Sequence, residues 1–271
     1  MSKIIIITGG SSGIGKAAAK ELHRRGNTVV LQARNLDKLS EAAREISASG
    51  ERVYTYSTDL TDRQSVEKSA DQIIEEVGLP DVVINSAGAG EWLSFDEADA
   101  DHYELTMGSP YLATALTCKV FYDRMKTREK SQENSQSAGH FIIINSAAAF
   151  FSFPGATGYT PARWAMLGFA KSLQADLYDT NFTVSMIALG KVDSPYFQNN
   201  PISETRIPKI ANWLIPTLSE EEAGNIISTN VRNQKKTVIK PFLMSVFVTL
   251  NRYMPGLFRW LMRATGHKKT S

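Results

Sequence analysis

Cys118 is the only cysteine in this chain of 271 residues. A lone thiol excludes an internal disulfide and fits a reducing compartment, so a cytoplasmic location is expected. The four histidines, His23, His102, His140 and His267, are scattered without ligand spacing, and no metal site is expected. Long hydrophobic runs are missing too. The opening "MSKIIIITGG" has four isoleucines before its glycines, too few for a signal segment, and reads as a buried strand. The apolar stretch 242–250 is far shorter than the ~20 residues that span a bilayer. Acidic charge is absent from one whole region. Residues 223–271 carry nine Lys+Arg and no Asp or Glu, beneath a net charge of only +2 for the chain. A tail of one sign points to an anionic partner, a membrane surface ahead of nucleic acid, which is not expected.

What is present is ordinary for a globular protein: 42% hydrophobic and 21% charged residues, in a length that buries one large core. Short β-branched runs alternate with helical patterns. The strand candidates are 3–8, 28–33, 52–57, 81–86, 140–146, 182–188 and 237–240. Between them, "KAAAKELHRRG" and "DRQSVEKSADQIIEEVG" repeat apolar residues at three and four and close on Gly26 and Gly78. Alternation of this kind predicts an α/β fold. The expected form is a single doubly wound Rossmann-type domain over 1–240 with a mostly parallel seven-stranded sheet. The polar tract "KTREKSQENSQSAG" (126–139) reads as a solvated loop.

"TGGSSGIG" (8–15) sits between the first strand and the first helix. Glycines there let the backbone approach a pyrophosphate, and the free N–H groups of the helix start attract its charge. About 20 residues on, where a dinucleotide fold places its ribose-contacting residue, the second strand ends "LQARN". An acid at that place would repel a 2′-phosphate; Ala33 and Arg34 stand there instead, favouring NADP(H). A plain surface cation opening the next helix is the other reading of Arg34.

Together these segments resemble the short-chain dehydrogenase/reductase family over roughly residues 3–240. Its Thr-Gly-x-x-x-Gly-x-Gly motif falls on Thr8, Gly9, Gly13 and Gly15. "TDLTD" resembles the acidic adenine contact, at Asp59 beside Leu60, and "NSAG" (85–88) the Asn-Asn-Ala-Gly motif. Ser146 precedes Tyr159 by the family's catalytic spacing. "ALGKVDS" resembles the Pro-Gly-x-Val-x-Thr segment, with Leu189 for proline and Ser194 for threonine. The resemblance implies catalysis by Ser146, Tyr159 and Arg163. It implies cofactor contacts from Thr8, Gly9, Ser11, Ser12, Gly13, Ile14, Gly15, Arg34, Asp59, Leu60, Asn85, Ala87, Gly88, Tyr159, Arg163, Val192 and Ser194. A homodimer or homotetramer is also expected.

By the resemblance, hydride passes between a nicotinamide and a carbonyl or alcohol carbon, while Tyr159 trades the hydroxyl proton and Ser146 holds the oxygen. A free tyrosine titrates near ~10, so acting near neutrality calls for a neighbouring cation. The family uses lysine four residues after the tyrosine; this chain has Arg163, one helical turn on. Its guanidinium stays charged and offers several donors, but it relays no proton. Counting back from Met125 through a motif-poor stretch matches the family's water-ordering asparagine on the fourth helix to Pro110, which has no polar side chain, with Thr106 and Ser109 as nearby polar alternatives. Two readings follow: an NADP(H)-dependent ketone reductase or alcohol dehydrogenase, or a non-catalytic NADP(H)-binding sensor or membrane-peripheral scaffold.

The extension 241–271 reads as amphipathic. At ~100° per residue Arg252, Arg259 and Arg263 share one direction and Met254, Leu257, Phe258 and Leu261 lie around the opposite side, while Pro255 suits a first helical turn and Gly266 a C-terminal stop. Such a helix with Trp260 on its flank suits a peripheral membrane anchor; it equally suits a lid packed on the protein's own core. Trp92, Phe150, Phe151, Phe153 and Tyr196 are expected near the cleft. The expected substrate is a hydrophobic ketone or its alcohol, such as a lipid-like 3-keto compound.

Overall fold

The apolar runs become seven strands: β1 (Ile4–Thr8), β2 (Thr28–Ala33), β3 (Val53–Ser57), β4 (Val82–Asn85), β5 (Gly139–Ser146), β6 (Phe182–Leu189) and β7 (Thr237–Lys240). A computed structural model provides this fold and describes residues 2–88, 90–131 and 137–268. The strands form one parallel sheet in the order β3-β2-β1-β4-β5-β6-β7. Its central strands are buried on both faces, which is why they read as continuous Ile and Val rather than as an alternation.

The connecting helices, in chain order, are α1 (Gly13–Arg24), α2 (Leu36–Ile46), α3 (Arg63–Glu76), α4 (Ala100–Met107), α5 (Ala113–Ser131) and α6 (Tyr159–Asp176). They continue with α7 (Pro195–Asn199), α8 (Pro201–Thr205), α9 (Lys209–Leu214), α10 (Glu220–Asn233), α11 (Phe242–Tyr253) and α12 (Pro255–Thr265). Ile5 and Ile7 join Ala18, Leu22, Leu39 and Ile227 in a core under α1, α2 and α10. Ile6 faces the other way, with Val66, Ile73, Phe121, Met125 and Met166 under α3, α5 and α6. The doubly wound α/β expectation holds.

Local chemistry sets the boundaries. Gly26 and Gly78 sit just past α1 and α3 with φ of 88° and 116°, left-handed stops that suit glycine. Asp62 accepts from the N–H groups of Gln64 and Ser65 and caps α3. Ser219 and Glu222 form a reciprocal capping box on α10.

Two expectations need correction. The polar tract is not a loop from residue 126: α5 runs on to Ser131, and positions 132–136 lie outside the described residues. Ion pairs of Asp123 with Lys119 and Lys126 support that helix where its buried apolar residues run out after Met125. The expected first turn at Pro255 and stop at Gly266 are those of α12, but the arginine face drawn back to Arg252 does not lie on one helix. Met254, at φ −129° and ψ 53°, breaks it before Pro255, because a residue preceding proline is driven out of the α region. Arg252 therefore belongs to α11, and Arg259 and Arg263 to α12. These helices bury Met244, Val248, Phe258 and Met262 against Phe151 and Ala188. Among the described residues, no helix is long and apolar enough to cross a membrane.

Candidate active site

A cleft of about 1240 Å³ opens at the carboxyl ends of the strands, where the order reverses between β1 and β4 and ligands of such sheets bind. The loop from β1 to α1 forms its floor. Gly9, at φ 68°, leaves no room for a side chain: a Cβ there would stand 2.9 Å from the Ala87 backbone. A Cβ on Gly15 would collide with the Gly9 carbonyl oxygen. Ser12, the N-cap of α1, makes no side-chain cap bond, so the first N–H groups of the helix face the cleft uncapped. That cradle fits a pyrophosphate. Glu220 reaches to within 3.8 Å of where a Gly13 Cβ would stand, and burial pushes its carboxyl up, against Lys16.

Of the cofactor contacts expected from the sequence, Gly9, Ser11, Ser12, Gly13, Ile14 and Gly15 line this floor. Arg34, Asp59 and Leu60 line its end beside the tips of β2 and β3, and Ala87, Gly88, Val192 and Ser194 its middle. Two lie behind the wall. Thr8 is buried, and its Oγ1 accepts from the N–H groups of Ser86 and Ala87, tying β1 to the loop after β4. Asn85 is buried and donates to the Cys118 sulfur; burial pushes that thiol up to about 12, beyond ordinary reactivity. Arg34 is exposed at the end of β2. The Asp59 carboxyl is lowered by hydrogen bonds from Thr61, with a smaller pull from Arg34.

At the far end, Ser146, Tyr159 and Arg163 line one wall. Ser146 closes β5, its hydroxyl accepting from the Ala148 N–H. Tyr159 and Arg163 project from the first turns of α6, where Pro161 has no N–H to satisfy. The Arg163 side chain is not swung out to water. The residue is 9% exposed, its guanidinium carbon lies 4.8 Å from the Tyr159 ring centroid, and Nη1 donates to the Ile144 carbonyl. A Cβ on Gly88 would come within 2.8 Å of Nη2, so glycine makes the space the guanidinium occupies. Among the described residues no carboxylate pairs with Arg163, and its Nε has no partner. Asn145, absent from the sequence expectations, donates to the Arg163 carbonyl and so fixes α6 to β5.

Pro110 lies buried in a π-turn, Gly108–Leu112, that packs on α6. Proline's missing N–H breaks the regular ladder there, and the widened turn follows. Nearby, the Thr106 hydroxyl and the His102 ring press against Gly158 at the start of α6, and among the described residues His102 Nε2 has no partner.

The substrate side is aromatic. Trp92 stacks on Phe153 at 5.2 Å, Tyr159 stands 5.6 Å from Trp92, and Tyr196 6.2 Å from Tyr159. Phe150 and Phe151 turn away from the cleft and pack beneath α11 and α12. None of the described residues from 241 onward lines the cleft, so the extension is not a lid over it. The cover is α7–α8, latched to the 90–97 loop. Tyr196 donates to the Gly90 carbonyl at 2.5 Å, and Ser203 accepts from the Trp92 N–H. Arg206 donates to the carbonyls of Trp92 and Gly155 and pairs with Glu97, whose carboxyl it holds far below the usual range. Burial pushes the Tyr196 phenol up, and Tyr159 adds to this. No local pattern marks the latch, because its partners are 51 to 114 residues apart.

The model of the short chain dehydrogenase family matches residues 3–205. A 3-dehydrosphinganine reductase of Danio rerio is 30% identical over 228 residues, 82% of this chain and 66% of that protein. The fold superposes on an alcohol dehydrogenase of Thermococcus sibiricus in complex with 5-hydroxy-NADP, with a TM-score of 0.72 and 23% identity over 88% of this chain and 95% of that one. It also superposes on a short-chain dehydrogenase/reductase of Burkholderia phymatum bound to NAD, with a TM-score of 0.82 and 19% identity over 100% and 98%. With its cradle, its serine–tyrosine pair and this match over most of its length, the chain belongs to the short-chain dehydrogenase family of oxidoreductases.

Proposed function

We propose that the protein uses NADP(H) to interconvert a hydrophobic ketone, lipid-like and bearing its carbonyl at the 3-position, with the corresponding secondary alcohol. The observation that carries this reading is the buried Arg163 guanidinium over the Tyr159 ring, on the cleft wall shared with Ser146.

A nicotinamide held in the cleft would supply or accept hydride at the carbon of the reacting group. In reduction, Tyr159 gives its phenolic proton to the carbonyl oxygen as the C–O double bond becomes single, and it regains that proton from water. Arg163 places a fixed positive charge against the phenolate left behind, in surroundings where such a charge acts strongly. Ser146 donates to the same oxygen and orients it. The direction reverses for the alcohol.

NADP(H) over NAD(H) is supported by Arg34 at the end of β2, where no acid stands to repel a 2′-phosphate. The aromatic lining supports an apolar substrate, and the name of the Danio rerio relative supports a 3-keto lipid class. The basic extension supports a peripheral position on an anionic membrane, and self-association as a dimer or tetramer belongs to the same reading.

The test is NADPH oxidation by the purified protein across a series of ketones of increasing chain length. Turnover that rises with chain length and is lost in Tyr159→Phe, with NADPH binding retained, supports the enzyme. Tight NADPH binding without turnover across the series makes the protein a sensor. Arg34→Ala is expected to weaken NADPH binding more than NADH binding; equal losses refute the cofactor assignment.

A further inference from the structure

Packing the extension on the protein does not use up its apolar surface. At about 100° per residue, the buried pair Phe258 and Met262 and the outward pair Leu257 and Trp260 fall on opposite sides of α12. The Arg259 and Arg263 side chains occupy the sector between them. In α11, Met244 and Val248 face inward, while Phe242, Leu243, Leu250 and Tyr253 face out. These are not marginal exposures: Phe242 is 71% accessible, Tyr253 80% and Trp260 57%. A third helix adds to this surface from outside the extension. α9 packs on α12, and its Trp213 is 83% accessible.

We propose that α9, α11 and α12 together form a monotopic docking face that seats shallowly in an anionic lipid bilayer. The inference rests on the peripheral-membrane reading above and specifies its surface. Both helices of the extension are apolar on two opposite sides, and water rewards only the inner one. A shallow hydrocarbon layer accounts for the outer one, with Trp213, Tyr253 and Trp260 at headgroup depth. Charge selects the occupant. The flanking cations Arg252, Arg259, Arg263 and Lys268 lie in a stretch, from position 223 onward, that holds no acidic residue, and Lys209 of α9 adds to them. A second copy docked on the same face about a two-fold axis would set these cations against their own images; an anionic leaflet attracts every one of them. The face also adjoins the cleft. Ala211 and Asn212 of α9, and Ile215 just after it, line the cleft from within, while Trp213 points the other way. One short helix therefore separates the bilayer from the site.

The experiment is co-sedimentation of the full chain with phosphatidylcholine vesicles with and without phosphatidylserine, at low and high salt. Binding is expected only with phosphatidylserine, and weaker in salt. It should fall at least about tenfold both in a Trp213→Ser/Phe242→Ser/Trp260→Ser variant and in an Arg252→Gln/Arg259→Gln/Arg263→Gln variant. Thermal unfolding and NADPH binding should stay as in the parent, and Trp213→Ser alone, outside the extension, should weaken binding measurably. Absence of binding by the parent chain overturns the proposal. So does full binding by the variants, or a loss of self-association in the serine variant with no vesicle binding by the parent, which would assign the face to a second copy. Turnover of a short, water-soluble ketone without vesicles tests the enzyme reading independently, since none of these side chains lines the cleft.

Discussion

Tyr159 and Arg163 share one turn of α6, and the guanidinium of the second covers the phenol ring of the first at 4.8 Å. If that cation supports proton exchange, charge matters more than shape. Arg163→Met should lower kcat by about 100-fold or more, in the range of a lost acid–base group. Arg163→Lys, which keeps a cation on the same turn, should stay within about tenfold of the parent. Steady-state NADPH oxidation decides; equal losses in the two variants would separate Arg163 from the proton step.

Gly88 and Gly9 should fail in different ways. A methyl group at Gly88 meets only the tip of the Arg163 side chain, which can shift, so Gly88→Ala should cut turnover by about tenfold at little cost to the fold. Gly9→Ala forces a side chain onto a left-handed residue and against the Ala87 backbone, and should cost about 2 kcal/mol or more of stability. Paired thermal melts and kinetics on the two variants check this, and a reversed pattern contradicts it.

The latch over the cleft should answer asymmetrically to its two charges. The Arg206 side chain is 6% exposed and that of Glu97 42%. Arg206→Met strips the Trp92 and Gly155 carbonyls of their donor and should cost about 2–4 kcal/mol while raising KM. Glu97→Gln keeps a hydrogen-bonding group at the wetter end and should cost less. Denaturant unfolding of both variants would show the order.

His140 gives the fold a pH dependence unconnected with catalysis. Burial, with a smaller contribution from Lys3, lowers its ring to about 4, and Nε2 shares a hydrogen bond with Ser185. The unfolded chain binds this proton more readily than the folded one. Stability from this group is therefore full above pH ~6.5 and is lost as pH falls toward about 4, by about 3 kcal/mol in all. Melting temperature against pH should slope in that window, and His140→Gln should flatten it; an unchanged slope would assign it elsewhere.

Much of this architecture was legible because its signals are local. An unbroken Ile or Val run between two helical repeats has few folds open to it, and all seven strands lie where such runs occur. Tyr159 and Arg163 could be paired because four residues make one helical turn. The polar tract before β5 misled because polarity alone does not end a helix when the chain supplies its own ion pairs, as Asp123 does. The break at Met254 was signalled by Pro255, whose effect on the preceding residue outweighs the arginine periodicity across it. Arg206, Ser203 and Glu97 carried no signal at all, because what unites them is the closure of the cleft.

The Arg163 guanidinium is a charge fixed in the cleft wall. Among the described residues the chain supplies no anion to balance it, so without nucleotide the protein would hold a buried positive charge that a phenolate, or a dinucleotide bound as proposed, would offset. Folding and loading are then coupled by mass action. Copies starved of nucleotide should be the ones proteases remove first, so nucleotide supply would govern abundance as well as turnover.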